Sequence, residues 1–477
     1  MHISLKKKFL SGVLWASIES LSLFGIRFIF TLILARILSP KDFGLIGIIS
    51  IFIELSGIFI DSGFSQSLIR KQDKSVEDIS TIFVFNLILS IFLYGILFVS
   101  SPYISSFFDE PLLIDLLRVF GIVLIVNASS IVHSTLFVCS VNFKILAKIS
   151  FISSVSSGLL GILLANKDYG VWALVIMSLV GSGLSSLMLW CLSDCRPKLL
   201  FSKKSFFDMF AFGSNLLLSE ILDCAYNNLY KVLIGKFFSS ATLGFYTRAK
   251  QFSELPAIQI TNVLSKVTYT TLCSIQDDED KLTSLYRKLT KVSCFVIFPV
   301  MSLLAGVSTP LILIIIGKKW EYAATLLIPL CFSMMFFPLH SLNLILLKVK
   351  GRSDLFLKLE LIKKLFGVVI LLVSFPFGVL AMCYGSIVFS IIALFINSYY
   401  TKQMIDYDLF SQMKDIFHTL LLSLISFGLT ICICSLFSNK FMSFGAGLSV
   451  GTTFFILSAI IFKFDEIKLL KTTFKRS

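Results

Sequence analysis

Charge is scarce in this chain. Asp, Glu, Lys and Arg make up 15% of its 477 residues, where a soluble domain has roughly a quarter. The apolar share is 56%, with 49 Phe and a mean hydropathy of +0.91. Too little polar surface remains to cover a water-facing particle, so a soluble fold and any soluble enzyme are excluded. Long polar stretches are missing too. Almost every join between apolar runs is short, and no segment could form a separate soluble domain. Histidine is limited to four residues, and the 10 Cys are scattered without metal-type spacing. They read as small apolar side chains. His133 and His340, well inside apolar runs, read as histidines satisfied by a neighbouring helix. No Gly-rich phosphate loop, nucleophile motif or metal cluster occurs. We therefore expect no catalytic residue, no metal ligand and no cofactor.

What the chain does have is apolar runs of about 20 residues, the length that crosses a membrane as a helix. They give about fourteen spans, near 12–35, 43–62, 79–101, 113–138, 145–165, 169–192, 207–234, 241–272, 292–316, 323–347, 355–375, 379–400, 416–437 and 441–462. The expected fold is all-α. Lys6–Lys8 resemble the basic start of a signal peptide, but Glu19 and Arg27 interrupt the apolar run after them, and that run is too long for one. An even number of spans puts both ends on one side. Roughly 25 or more Lys and Arg fall in the loops of that side and well under ten in the others. Both termini are therefore expected in the cytoplasm. The same bias explains most of the net charge of +14. Because the bases sit between spans, a nucleic-acid partner is not expected.

Two stretches repeat. "ARILSPKDFGL" begins at Ala35 and "GKFFSSATLGF" begins at Gly235, so that Ser39 matches Ser239 and Gly44 matches Gly244. The first joins spans one and two, the second spans seven and eight. An even number of spans lies between them, so both copies run the same way, as in parallel repeats about an axis normal to the membrane. The expected organisation is an N-terminal six-span lobe over 1–200 and a C-terminal six-span lobe over 201–402. An extra helix pair and a tail fill 403–477.

The same offset pairs Glu54 with Glu254 and Arg27 with Asn227. A carboxylate within the membrane costs several kcal/mol unless it faces protein or water. Span seven is the most polar: Glu220, Asp223, Asn227 and Lys231 fall within about 80° of one another on one helical face. Span eight adds Arg248, Lys250, Gln251 and Glu254, where Lys250 and Glu254 can pair at i, i+4. Spans one and two add Glu19, Arg27, Glu54 and Asp61. Salt bridges alone would be poor glue here, because desolvation offsets much of their attraction. A polar cavity at a repeat interface is where transporters bind cargo.

At these residues the sequence resembles a known family. "GKFFSSATLGFYTRAKQFSELP", "ARILSPKDFGL" and "IIIGKKWEYAATLL" look like signatures of bacterial Wzx-type flippases of lipid-linked oligosaccharides, in the multidrug/oligosaccharidyl-lipid/polysaccharide exporter superfamily. The resemblance implies a V of two lobes around a central cavity, in the bacterial inner membrane. It implies that undecaprenyl-diphosphate-linked oligosaccharide moves from the cytoplasmic to the periplasmic leaflet for O-antigen, capsule or exopolysaccharide, among membrane lipids. A polysaccharide polymerase and chain-length machinery would be its neighbours. A diphosphate needs cations, for which Arg27, Lys231, Arg248 and Lys250 are the candidates. Sugars need amide and aromatic partners, for which Tyr226, Asn227, Asn228 and Tyr230 are the candidates. Glu54, Glu220, Asp223 and Glu254 are candidates to take up H⁺ or Na⁺ and couple the cycle. Glu54, with no base within four residues, is the expected proton carrier.

Two other readings stand beside this one. A multidrug exporter of the same superfamily would need a more acidic cavity. A membrane polymerase or ligase would carry a sizeable periplasmic loop, and none exists.

The charge bias gives a first prediction. In a cysteine-free background, a cysteine at position 278 or at the C-terminus should be labelled from the cytoplasmic side only. Labelling of either from the periplasm would invalidate the orientation.

Overall fold

The computed structural model describes residues 25–464 and 466, except 72, 141, 274, 276 and 277. Glu19, Lys6–Lys8, Asp277 and the basic tail lie outside the described residues. Helices run through the chain, and no strand occurs among the described residues. By close contacts the chain divides into two compact units that part after Gly244.

The first unit holds α1 (25–37), α2 (Pro40–Asp61), α3 (Phe64–Arg70), α4 (Val76–Phe108), α5 (Leu113–Phe120), α6 (Ile122–Cys139), α7 (Phe143–Ala165), α8 (Val171–Leu192) and α9 (Lys203–Phe237). It ends in the first turn of α10 (Ser240–Cys273). The second unit holds the rest of α10, then α11 (Glu279–Gly306), α12 (Ser308–Ile315), α13 (Glu321–Met335), α14 (Phe337–Val349), α15 (Ser353–Ser374), α16 (Val379–Ile405), α17 (Leu409–Leu436) and α18 (Lys440–Ile461).

Ten stretches are long and apolar enough to cross a membrane. They include α2 with α3, α5 with α6, and α13 with α14 as single spans. The spans expected over 207–234, 241–272 and 355–375 fall on the helices α9, α10 and α15. All three are long enough, but they do not meet the hydropathy and charge criterion that the other ten satisfy. Of the first expected span, 12–35, residues 25–35 are described and are helical.

Inside each unit the helices approach through small residues, the usual solution where no water drives burial. A methyl group added to Gly161 of α7 would press on Met177 of α8, and one on Gly181 of α8 would meet Ser157 of α7. In the second unit Gly447 and Gly451 of α18 lie against Cys434 and Thr430 of α17. The core of the first unit is aromatic. Phe64 packs on Phe85 and Phe206, and Phe83 meets Trp190 edge-on. The outer face of α4 carries exposed Ile88, Phe92, Val99 and Tyr103, a stripe suited to lipid.

The repeated motif has a chemical explanation. Ser39 caps α2 in a reciprocal box with Asp42. The matching Ser239 accepts from Thr242 N–H at 3.0 Å and caps α10. Each cap starts a helix, and the two starts cross at the matched glycines. A Cβ on Gly44 would overlap the carbonyl of Ser240, and one on Gly244 would overlap the carbonyl of Pro40. Pro40 and Ser240 are themselves repeat equivalents, so each copy places its glycine under the other's first helical residue. The turn after α4 clamps both copies. Glu110 binds Lys41 at 2.9 Å and accepts from the Ser240 hydroxyl at 2.6 Å, while Asp109 binds Lys236 at 2.9 Å.

Backbone carbonyls cannot swing aside as side chains do. Gly44→Ala and Gly244→Ala should each cost about 1–3 kcal/mol or more through overpacking. Gly57→Ala, with open space around its Cα, should be neutral or slightly stabilising. Thermal unfolding of the purified variants in detergent checks this, and equal melting temperatures for all three would contradict the crossing.

Candidate functional site in the polar helices

The helix with most intramembrane charge, α9, turns one edge outward. Glu220, Asp223 and Asn227 are exposed, and Lys231 on the same stripe is half-buried. Tyr226 is half-buried, and Tyr230 is buried on the packed side. The 3.6-residue period thus sorts this helix as its sequence predicts.

Lys231 reaches α2. Its ammonium donates to Glu54 Oε1 at 3.0 Å, to Oε2 at 3.2 Å and to Ser50 Oγ at 3.1 Å. The Asn228 side-chain amide donates to Glu54 Oε2 at 3.1 Å and to the Cys224 carbonyl at 3.0 Å. This corrects the expectation that Glu54 lacks a base. None lies within four residues, but one arrives from a helix 177 positions away. Asn228 is also redirected. It is buried against Glu54 rather than offered outward to a sugar.

Two turns further along α2, Asp61 accepts from the Ser65 N–H at 3.3 Å and from the Ser65 hydroxyl. Thr135 of α6 donates to Ser65 in turn at 3.2 Å. Glu220 lies within electrostatic reach of Asp61 and Asp223. Glu220 thus has two other carboxylates in its field, while Lys231 of the same polar stripe is engaged by Glu54. Arg27 stands exposed on α1 and forms no ion pair among the described residues. Ser50, Ser65 and Thr135 have no signal in the sequence, since lone hydroxyls recur throughout the spans.

The residues from α10 belong to the second unit. Lys250 pairs with Glu254 at 3.6 Å, as the i, i+4 spacing suggests. Arg248 is half-buried and donates to Gln251 Oε1 at 2.5 Å. The repeat equivalents Glu54 and Glu254 thus both hold a lysine, one from a distant helix and one from its own.

The two histidines differ. The His340 ring meets Ser390 at 2.9 Å and Asn397 at 3.3 Å, both on α16, and is satisfied as expected. His133 is fully buried, its ring tilted against Trp190 with centroids 4.3 Å apart, with no hydrogen-bond partner on either nitrogen among the described residues.

Comparison with known proteins places this arrangement. A family described as "Polysaccharide biosynthesis protein" matches residues 33–325, more than half of the chain. The chain belongs to that polysaccharide biosynthesis protein family. Its match begins just before the first motif and runs through both copies and the polar helices α2, α9 and α10. Among this family member's relatives is the teichuronic acid biosynthesis protein TuaB of Bacillus subtilis, 25% identical over 74% of this chain and 73% of that one. The lipopolysaccharide biosynthesis protein WzxC of Escherichia coli is 24% identical over 76% and 74%. Among solved structures, the lipid II flippase MurJ in an inward closed conformation superposes with a TM-score of 0.78. It shares 16% identity, covering 94% of this chain and 99% of MurJ. The family member therefore has a MurJ-like fold.

The Glu54–Lys231 pair is testable by a double-mutant cycle. Glu54→Gln, Lys231→Gln and the double variant, compared by thermal unfolding, should show a coupling of about 0.5–3 kcal/mol. Strict additivity would mean that the two side chains do not interact.

Proposed function

We propose that the protein flips an undecaprenyl-diphosphate-linked oligosaccharide from the cytoplasmic to the periplasmic leaflet of the bacterial inner membrane, with both its termini in the cytoplasm. The observation that carries this reading is the exposed polar edge of α9, where Glu220, Asp223 and Asn227 face outward on a helix of membrane length. Such an edge needs water or a polar ligand beside it. Family membership in polysaccharide biosynthesis supports a glycan cargo, and the fold shared with a lipid flippase supports a lipid-linked one.

In this reading the cargo's acyl tail stays in the bilayer while its head group crosses beside the polar edge of α9. Arg27 in the first unit and Arg248 in the second are each candidates to bind phosphate oxygens, because a planar guanidinium matches them in pairs. Asn227 and Tyr226 face the sugars. Lys231 and Lys250 act with the carboxylates they already hold. The repeats 1–200 and 201–402 move against each other, with 403–477 as an appended pair, and the crossing of the two motif copies is the contact that parts. Coupling to H⁺ or Na⁺ falls to Asp223 and Glu220 together with Asp61, since like charges in reach of one another invite a counter-ion. Glu54 and Glu254 exchange partners rather than carry the ion alone. No catalytic step is required.

A second reading, export of organic cations, draws support from the two carboxylates in the field of Glu220. One assay separates the two. In proteoliposomes, the protein should flip a lipid-linked oligosaccharide and leave a cationic dye in place. Arg27→Ala and Arg248→Ala should still insert, yet each should slow flipping about tenfold or more, the loss of a charge-assisted contact worth roughly 1.5–3 kcal/mol. Unchanged flipping in both variants would remove the phosphate role, and dye transport without flipping would favour the second reading.

A further inference from the structure

A large mixed-charge cavity lies in the second unit. It measures about 910 Å³ and opens where α11 begins and α16 ends. Four bases line it: Arg287, Lys288 and Lys291 on α11, and Lys402 on α16. The hydroxyls of Thr283 and Ser284 lie between these bases and the start of α11, and Met404 and Ile405 supply an apolar wall. Three carboxylates complete it: Glu279, which also pairs with Lys350 at 3.8 Å, and Asp280 in the first turn of α11, and Asp406 at the end of α16.

The bases are fixed in advance. Asp415 of α17, almost buried, takes Arg287 through two hydrogen bonds of 2.8 and 3.0 Å and Lys291 at 3.2 Å. The Tyr407 hydroxyl donates to the same carboxylate at 2.9 Å, and the Arg287 guanidinium sits over the Tyr407 ring. One carboxylate thus holds two cations, leaving an excess of positive charge at the wall. Lys288 is exposed and forms no ion pair among the described residues.

The charges are layered. Both α11 and α16 are membrane-length helices, and the cavity lies at their ends. On α11 the acids 279 and 280 sit outermost, and the bases 287, 288 and 291 lie two to three turns further in. On α16 Lys402 lies about one turn further in than Asp406, at roughly 1.5 Å of rise per residue. Exposed aromatics occur near the same helix ends. Tyr399 of α16 is 59% exposed and Phe410 of α17 is 78% exposed, the kind of side chain that rests at a membrane–water boundary. Only the bases would suit a simple anion, since the outer acids would repel it.

We propose that this cavity binds the zwitterionic headgroup of an aminophospholipid, with its phosphodiester on the inner bases and its primary ammonium on the outer carboxylates. A phospholipid presents its charges in that order, phosphate nearer the acyl chains and amine nearer water. A basic pocket between transmembrane helices is a recognised lipid-headgroup device, and the acid tier adds selectivity for the amine. The site is independent of the flipping reaction and is read by binding alone.

The test is native mass spectrometry of the full-length protein after exchange into micelles with equal phosphatidylethanolamine, phosphatidylglycerol and phosphatidylcholine. The ethanolamine lipid should be retained about tenfold over the other two, the effect of one charge-assisted contact. Lys288→Gln with Lys402→Gln should remove that retention, and Glu279→Gln with Asp280→Asn should erase the preference over phosphatidylglycerol. Elution as a monodisperse peak confirms that the variants fold. Soluble glycerophosphoethanolamine should compete poorly. Equal retention of the three lipids, preference for phosphatidylglycerol, or variants that keep the wild-type pattern would overturn the proposal. Competition by the soluble ester as strong as that of the lipid would assign the cavity to a soluble phosphate ester instead.

Discussion

The first unit is organised by the approach of two glycines. Where α2 and α10 start, their backbones come closer than any side chain allows, and Gly44 and Gly244 make this possible from opposite sides. The caps, the glycines and the clamp by Asp109 and Glu110 form one assembly. Its consequence is visible in how the chain packs. A division by repeat falls near residue 200, yet contacts part the chain after Gly244. The crossing draws α9 and the start of α10 onto α2, so the second copy of the motif packs with the first copy's half.

The membrane favours this arrangement of charge. An isolated Glu on α2 and an isolated Lys on α9 would each cost several kcal/mol within a bilayer. Bringing them to 3.0 Å with Asn228 and Ser50 around them satisfies both. The pair remains accessible: the Glu54 side chain is 48% exposed and that of Lys231 is 18% exposed. The packing that brings α9 onto α2 therefore also decides which charges are compensated in this conformation, while Glu220 lies in the field of Asp61 and Asp223.

Sequence pattern reveals much of this and stops at a definable point. Apolar run length locates the spans, because a helix must satisfy its own backbone in lipid. The repeat offset locates the motif, and helical period assigns Glu220, Asp223 and Asn227 to one exposed edge. What fails is pairing across helices. Glu54 looks baseless because its lysine lies 177 residues away. Asn228 looks like a sugar ligand because the period cannot tell an outward amide from one turned onto a carboxylate. His133 and His340 read alike, yet one finds Ser390 and Asn397 and the other only the face of Trp190. Local pattern gives a residue's face; the partner on that face belongs to the tertiary fold.

The same pairing bears on how the proposed cycle would run. If the two motif copies part, α2 and α9 separate, and the Glu54–Lys231 pair breaks with them. Breaking a semi-buried pair without replacement leaves two uncompensated charges, each costly in low dielectric. A diphosphate beside Lys231 and a cation beside Glu54 would supply both replacements at once. The opened state would then be accessible mainly when cargo and coupling ion are present together, and opening while empty would be disfavoured by the charges left behind. Obligatory coupling in such a device needs no dedicated latch. It arises from placing one ion pair at the contact that must separate.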